Sequence, residues 1–99
     1  MSKQPEGKIV KRVREYLEGQ GAWVFNVHGG DNPFQEVGIP DLLCCWKGHF
    51  IGLEVKLPGE KASPRQRLVI SRIREAGGVA DIVSSTGDVA EVLKRTARK

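Results

Sequence analysis

Long apolar runs are missing from this chain. No segment approaches the roughly 18 consecutive apolar residues that a membrane-spanning helix needs. The opening Met1-Ser2-Lys3-Gln4-Pro5-Glu6 lacks the apolar stretch of a secretory leader. Cysteine is scarce too, with Cys44 and Cys45 the only two. Neighbours in a strand point to opposite faces, and the pair fits no C-x-x-C metal or redox spacing. Both therefore read as small core residues in a reducing, cytoplasmic setting. Internal repeats, low-complexity tracts and linkers are also absent. What remains is 99 residues, 39% of them hydrophobic, with a mean hydropathy of −0.32. That length suits one domain, 1–99, with a modest core. The net charge of +4 permits nucleic acid as a partner without establishing it.

Periodicity predicts the element order α-β-β-β-α-β-α. Glu6, Ile9, Val10, Val13, Tyr16 and Leu17 recur at helical spacing, giving a helix over 5–19 that ends at Gly19 and Gly21. Residues 22–28 read as a strand, followed by a glycine-rich loop from Gly29 to Gly38. A loop of that length in a small domain points to function. Residues 41–47 and 49–56 read as a hairpin turning at Lys47-Gly48. Ser63-Pro64-Arg65-Gln66 opens a second helix, with Ser63 at the N-cap, Pro64 at N1 and Gln66 at N3. Gly77-Gly78 stops it. A strand over 79–84 and a helix over 86–97, capped by Ser85 and Asp88, complete the chain. The economical architecture is α/β: a mixed four-stranded sheet with helices on its faces.

The hairpin carries the chemistry. A two-residue turn at Lys47-Gly48 sets Trp46 opposite His49, Cys45 opposite Phe50 and Asp41 opposite Glu54. Opposed side chains have Cβ atoms about 4.5–5.5 Å apart. Two carboxylates that close repel unless a positive charge lies between them, and a divalent cation with oxygen ligands fits. Lys56 projects from the same face as Glu54. The bland alternatives are a turn cap for Asp41 beside Pro40 and a surface ion pair for Glu54 and Lys56. Against the second, Phe50-Ile51-Gly52-Leu53 and Val55 make the strand apolar on both faces, as in a buried central strand. Charges at the end of such a strand are costly unless paired or used.

Gly38-Ile39-Pro40-Asp41, then Glu54-Val55-Lys56, then Gln66 in the following helix resemble the signature of the PD-(D/E)xK nuclease superfamily. More narrowly, the order and motifs resemble the small VRR-NUC domains of phages and bacteria, over nearly the whole chain. Glu6 matches the acid that such domains carry in the first helix, and Gly29-Gly30 match the glycines before the aspartate. The resemblance implies a restriction-endonuclease-like fold and a Mg²⁺- or Mn²⁺-dependent endonuclease. Asp41, Glu54 and the Val55 carbonyl would hold the metal. Lys56 would position or deprotonate the attacking water, or stabilise charge on the phosphorane. Gln66 would orient Lys56 or the water, although a capping box explains glutamine at N3 equally well. Glu6 would aim inward, although the helix dipole alone favours an acid in a first turn.

The stand-alone members of this kind look like Holliday junction resolvases and act as homodimers. A homodimeric, structure-selective enzyme on branched DNA is therefore the implied function. So short a chain has little surface for reading bases, in keeping with recognition of shape. The strand and helix near residues 68–83 are the expected dimer surface. Arg65 and Arg67, in a cluster with Arg72 and Arg74, and His28, Gly29 and Gly30 are candidates for DNA contact. Asn26, Asp31 and Gln35 could join His28 on DNA or a second metal. The run Lys94-Arg95-Thr96-Ala97-Arg98-Lys99 reads as a solvated helix end. The rival readings are a catalytically silent DNA-binding or scaffold protein on the same fold, and a flap or restriction-type nuclease.

Overall fold

A computed structural model of the chain describes residues 3–28 and 37–99. Gly29, Gly30, Asp31 and Gln35 fall outside the described residues. The elements are α1 (Lys3–Gly19), β1 (Trp23–Asn26), β2 (Leu42–Trp46), β3 (His49–Val55), α2 (Pro64–Glu75), β4 (Val79–Val83) and α3 (Thr86–Ala97), in the order expected. They build one mixed sheet with strand order β1-β2-β3-β4. β1 and β2 are antiparallel, as are β2 and β3, while α2 crosses over to bring β4 parallel to β3.

The turn at Lys47-Gly48 decides the register. Lys47 has φ 49° and Gly48 φ 82°, the paired positive values of a type I′ turn whose twist suits a hairpin. The non-glycine member of that turn sets its ammonium 4.9 Å from the Trp46 ring centroid. From there the ladder runs Trp46↔His49, Cys45↔Phe50, Cys44↔Ile51, Leu43↔Gly52 and Leu42↔Leu53.

Alternation sends Val24, Leu42, Cys44, Trp46, Ile51, Leu53 and Val55 to one face. There they pack with Val13 and Leu17 of α1 and Val89, Val92 and Leu93 of α3. Trp46 is buried and donates its Nε1–H to Gln20 O at 2.9 Å, so the polar edge of the ring is satisfied. The other face takes α2, whose Ile73 lies over Gly52 and Gly78. A Cβ on Gly52 would come within 3.2 Å of both Ile73 Cδ1 and Pro40 Cγ.

Three expectations need correction. β1 ends at Asn26 rather than residue 28, because Asn26 Oδ1 accepts the His28 N–H at 3.1 Å and turns the chain out of the ladder. α1 begins at Lys3 rather than residue 5. Pro5 lies in its first turn, where a missing N–H costs nothing. Cys44 is a core residue but Cys45 is exposed, since the sheet half above it carries no helix.

Candidate active site at the open end of the hairpin

The ladder's last pair is Leu42↔Leu53, so Asp41 and Glu54 stand one step further in the same register, where the chain enters β2 through a bend. That entry is braced. Gly38 has φ +89°, and a Cβ there would sit 2.7 Å from Arg65 Cγ and 3.0 Å from Arg65 O. Only glycine lets the backbone approach α2 this closely in this conformation. Arg65 Nε donates to Val37 O at 3.2 Å, and Pro40 rests on Gly52. Asp41 is thereby aimed at the end of β3. Its Oδ2 accepts the Val55 N–H at 2.8 Å, its Oδ1 lies 2.9 Å from His28 Nε2, and its backbone oxygen accepts the Val27 N–H at 2.9 Å.

Glu54 is 3% exposed. Its Oε2 accepts Gln66 Nε2–H at 2.9 Å and lies 3.8 Å from Lys56 Nζ. Its Oε1 is buried with no hydrogen-bond partner among the described residues. Burial, and then the neighbouring Asp41 carboxylate, push the Glu54 carboxyl up to about 8, against the pull of Lys56. A proton shared with Asp41 would satisfy the orphan oxygen; so would a cation.

Gln66 caps its helix and also reaches the candidate site. Its Oε1 accepts the Ser63 N–H at 2.8 Å and its N–H donates to Ser63 Oγ at 3.1 Å, closing the capping box. Its amide N–H₂ reaches Glu54. The amide nitrogen meets Glu54 rather than Lys56, because the cap fixes the amide oxygen and turns the nitrogen toward the end of β3. Lys56 is largely buried, and its N–H donates to Val83 O at 3.0 Å, tying the chain to β4.

Glu6 of α1 reaches the same end of the sheet. With Gly7, Val10, Asn26, His28 and Asp41 it lines a cleft of about 200 Å³. A hydrogen bond with the Glu60 carboxyl, together with burial, raises its pKa. The sequence reading misses Glu60, which lies in the turn between β3 and α2. Pro58 and Gly59 (φ +87°) fold that turn so that Glu60 N donates to Leu57 O at 3.0 Å and Glu60 Oε1 accepts the Leu57 N–H at 2.7 Å. That bond, and then the one with Glu6, hold the Glu60 carboxyl below its usual range. The signal was the Leu57-Pro58-Gly59-Glu60 turn directly after Lys56, which sends the acid back toward the strand it follows.

Arg65 and Arg67 are exposed at the start of α2. Each makes a bond to a backbone carbonyl, Arg65 to Val37 and Arg67 Nη1 to Ala62 O at 2.6 Å. Among the described residues, no three His, Cys, Asp or Glu side chains form a ready cation cage. The donor set at the sheet end still suits a hard cation. Two carboxylates converge, one with an unmet buried oxygen, and a carboxylate whose oxygens each accept one bond keeps lone pairs free. Val55 turns its N–H toward Asp41, and its carbonyl points to the same side. Mg²⁺ needs little more from protein than one or two carboxylates, with waters and substrate phosphate completing its shell.

An α/β sheet with a central buried strand, a parallel crossover and two acids at its open end is a restriction-endonuclease-like fold. No family model matches the sequence, and no curated protein is significantly similar. Four solved chains match. One, a VRR-NUC domain, superposes with a TM-score of 0.73 at 27% identity, over 91% of this chain and 95% of its own. That likeness supports reading the present chain as a VRR-NUC domain. None of the described helices is long and apolar enough to cross a membrane.

Proposed function

We propose that the protein is a metal-dependent DNA endonuclease that selects branched structures such as Holliday junctions and works as a homodimer. The likeness to a VRR-NUC domain supports a nuclease. The observation that carries the catalytic reading is the buried Glu54 carboxyl beside Asp41, one oxygen held by Gln66 and the other unmet. An acid in that position destabilises the fold for nothing unless it is used.

Asp41, Glu54 and the Val55 carbonyl would hold Mg²⁺ or Mn²⁺. The bound ion would polarise the scissile phosphate and lower the pKa of water. Lys56 stands beside Glu54, where its ammonium can hold or relay a proton of the attacking water and offset charge on the phosphate. Gln66 fixes the rotamer of Glu54. His28 and the Val55 N–H fix that of Asp41. Glu6, hydrogen-bonded to Glu60, lines the cleft beside Asp41. Arg65 and Arg67, at the N-terminal end of α2, are placed to meet the DNA backbone, where the helix dipole adds to their charge. The complete acid, acid and lysine set weighs against a silent scaffold.

The test is cleavage of four-way junction, flap and linear duplex DNA of matched sequence, with Mg²⁺, with Mn²⁺ and with EDTA. The expected result is metal-dependent paired cuts in the junction at a rate well above that on linear duplex. Metal-independent cutting, or no preference for branched DNA, would overturn the corresponding part of the proposal.

A further inference from the structure

The sheet half not covered by α2 is aromatic. Trp23 is 67% exposed, Phe25 49% and Phe50 47%. The register sets Trp23, Cys45 and Phe50 in one row across the sheet and Phe25, Leu43 and Gly52 in the next. All six therefore belong to one face. The Trp23 and Phe25 rings lie parallel, 7° apart with centroids at 6.3 Å.

The two outer strands differ in how their free edges are treated. In β4, the bond from Lys56 N to Val83 O turns residue 83 toward β3, so by alternation Ala80 and Ile82 face outward. One outward group of each is met: Arg74 Nε donates to Ala80 O at 3.0 Å, and Asp81 Oδ1 accepts the Ile82 N–H at 2.9 Å. Arg95 Nη2 holds Asp81 Oδ2 at 2.9 Å. In β1, the bond from Val27 N to Asp41 O turns residue 27 inward, so Val24 and Asn26 face outward. No hydrogen bond from a described residue reaches the backbone groups of these two. The strand Trp23-Val24-Phe25-Asn26 also lacks the lysine, proline or bulge that usually guards an edge.

We propose that a second copy of this chain docks on β1, edge to edge and antiparallel, so that the sheet runs on across a two-fold axis and the Trp23, Phe25 and Phe50 faces of both copies adjoin. Each chain carries a net charge of +4, so two copies repel except through a surface free of cations, and β1 is one. DNA, which needs cations against its phosphates, finds none on this strand. The three aromatic side chains expose roughly 350 Å² per protomer, close to half of the ~800 Å² that each partner contributes to a stable interface. The β1 edge and its flanks supply the rest. An isologous interface requires the same patch on both copies, which a pair of β1 strands satisfies. The expected surface near 68–83 is less suited, because Arg74, Asp81 and Arg95 occupy its edge. The pairing stands on this geometry alone; that it sets two active sites for paired cuts rests on the function proposed above.

Sedimentation equilibrium without DNA or metal tests it, from micromolar to near-millimolar protein. The wild type and Glu54→Gln are expected at twice the 10.9 kDa chain mass. Trp23→Lys and Phe25→Lys are each expected to weaken the dimer by roughly 30-fold or more, and the double variant to sediment as a folded monomer by circular dichroism. Amide exchange supplies a second reading: the Val24 and Asn26 N–H groups should be protected in the wild type and exposed in the double variant. A monomeric wild type, a dimer that survives the double substitution, or unprotected Val24 and Asn26 amides in a dimer would each overturn the proposal. So would a monomer that binds an oligo-dT strand through Trp23 and Phe25, which assigns the face to nucleic acid. A monomer that still cuts DNA breaks the interface alone. A dimer inactive on every DNA with metal breaks the nuclease reading alone.

Discussion

The β2–β3 hairpin has a closed end and an open end, built on opposite terms. At the closed end Trp46 is buried and satisfied, its N–H bonded to Gln20 O and its ring under Lys47. At the open end the same ladder, continued one step, sets two acids side by side and leaves Glu54 Oε1 buried without a partner among the described residues. Like charges directly opposite each other on a sheet destabilise it. One end of the hairpin therefore stabilises the fold, and the other draws on that stability to hold a reactive arrangement.

The sharpest break in that comparison comes from removing the acids. Asp41→Ala and Glu54→Gln should lower the cleavage rate on the order of 10³-fold or more, as expected when charge stabilisation at a reacting centre is lost. Glu54→Gln should also melt no lower than the wild type in EDTA, since a neutral amide of the same shape replaces a carboxyl that is protonated up to about pH 8. Single-turnover assays beside thermal melts check both. At the closed end the pattern should invert. Trp46→Ala should cost about 3–5 kcal/mol of stability while the folded fraction, measured well below its midpoint, cuts at nearly the wild-type rate.

The pH dependence separates the ends further. The Glu54 carboxyl is held at about 8 in the folded protein against 4.5 for the free side chain. Between those values the folded state keeps a proton that the unfolded chain has released. Stability without metal should therefore fall as pH rises from about 4.5 to about 8 and then level off on this account. Melting temperatures across that window in EDTA should slope downward for the wild type and less so for Glu54→Gln. Mg²⁺ should raise the midpoint more at pH 8 than at pH 6, because the ion must displace that proton.

The smallest effect dissects Gln66. Ser63→Ala removes the cap without touching Glu54 and should cost about 1 kcal/mol with the rate nearly unchanged. Gln66→Ala loses the cap and the bond to Glu54, so a similar stability loss should come with a several-fold slower rate. Equal rates in the two variants would reduce Gln66 to a capping residue.

The hairpin was legible because a two-residue turn at Lys47-Gly48 leaves one register, and that register also brings Asp41 level with Glu54. The capping residues Ser63 and Gln66 were legible because their spacing is local. The contact between His28 and Asp41 was not, since it spans a thirteen-residue separation and depends on the early end of β1 at Asn26. Glu60 escaped notice because an acid in a surface turn has no periodicity to betray it. The direction of the Gln66 amide was hidden for another reason. Cap and site compete for one side chain, and only the relative placement of α2 and β3 shows that it serves both.

The braces on either side of residues 29–36 have a consequence for how such a protein can diversify. Before them, His28 is held through Asn26 and meets Asp41; after them, Val37 and Gly38 are pinned against Arg65, and Pro40 against Gly52. Each side is held to the described fold by contacts of its own. A lineage that keeps those anchors keeps the aim of Asp41 while the exposed surface around it changes.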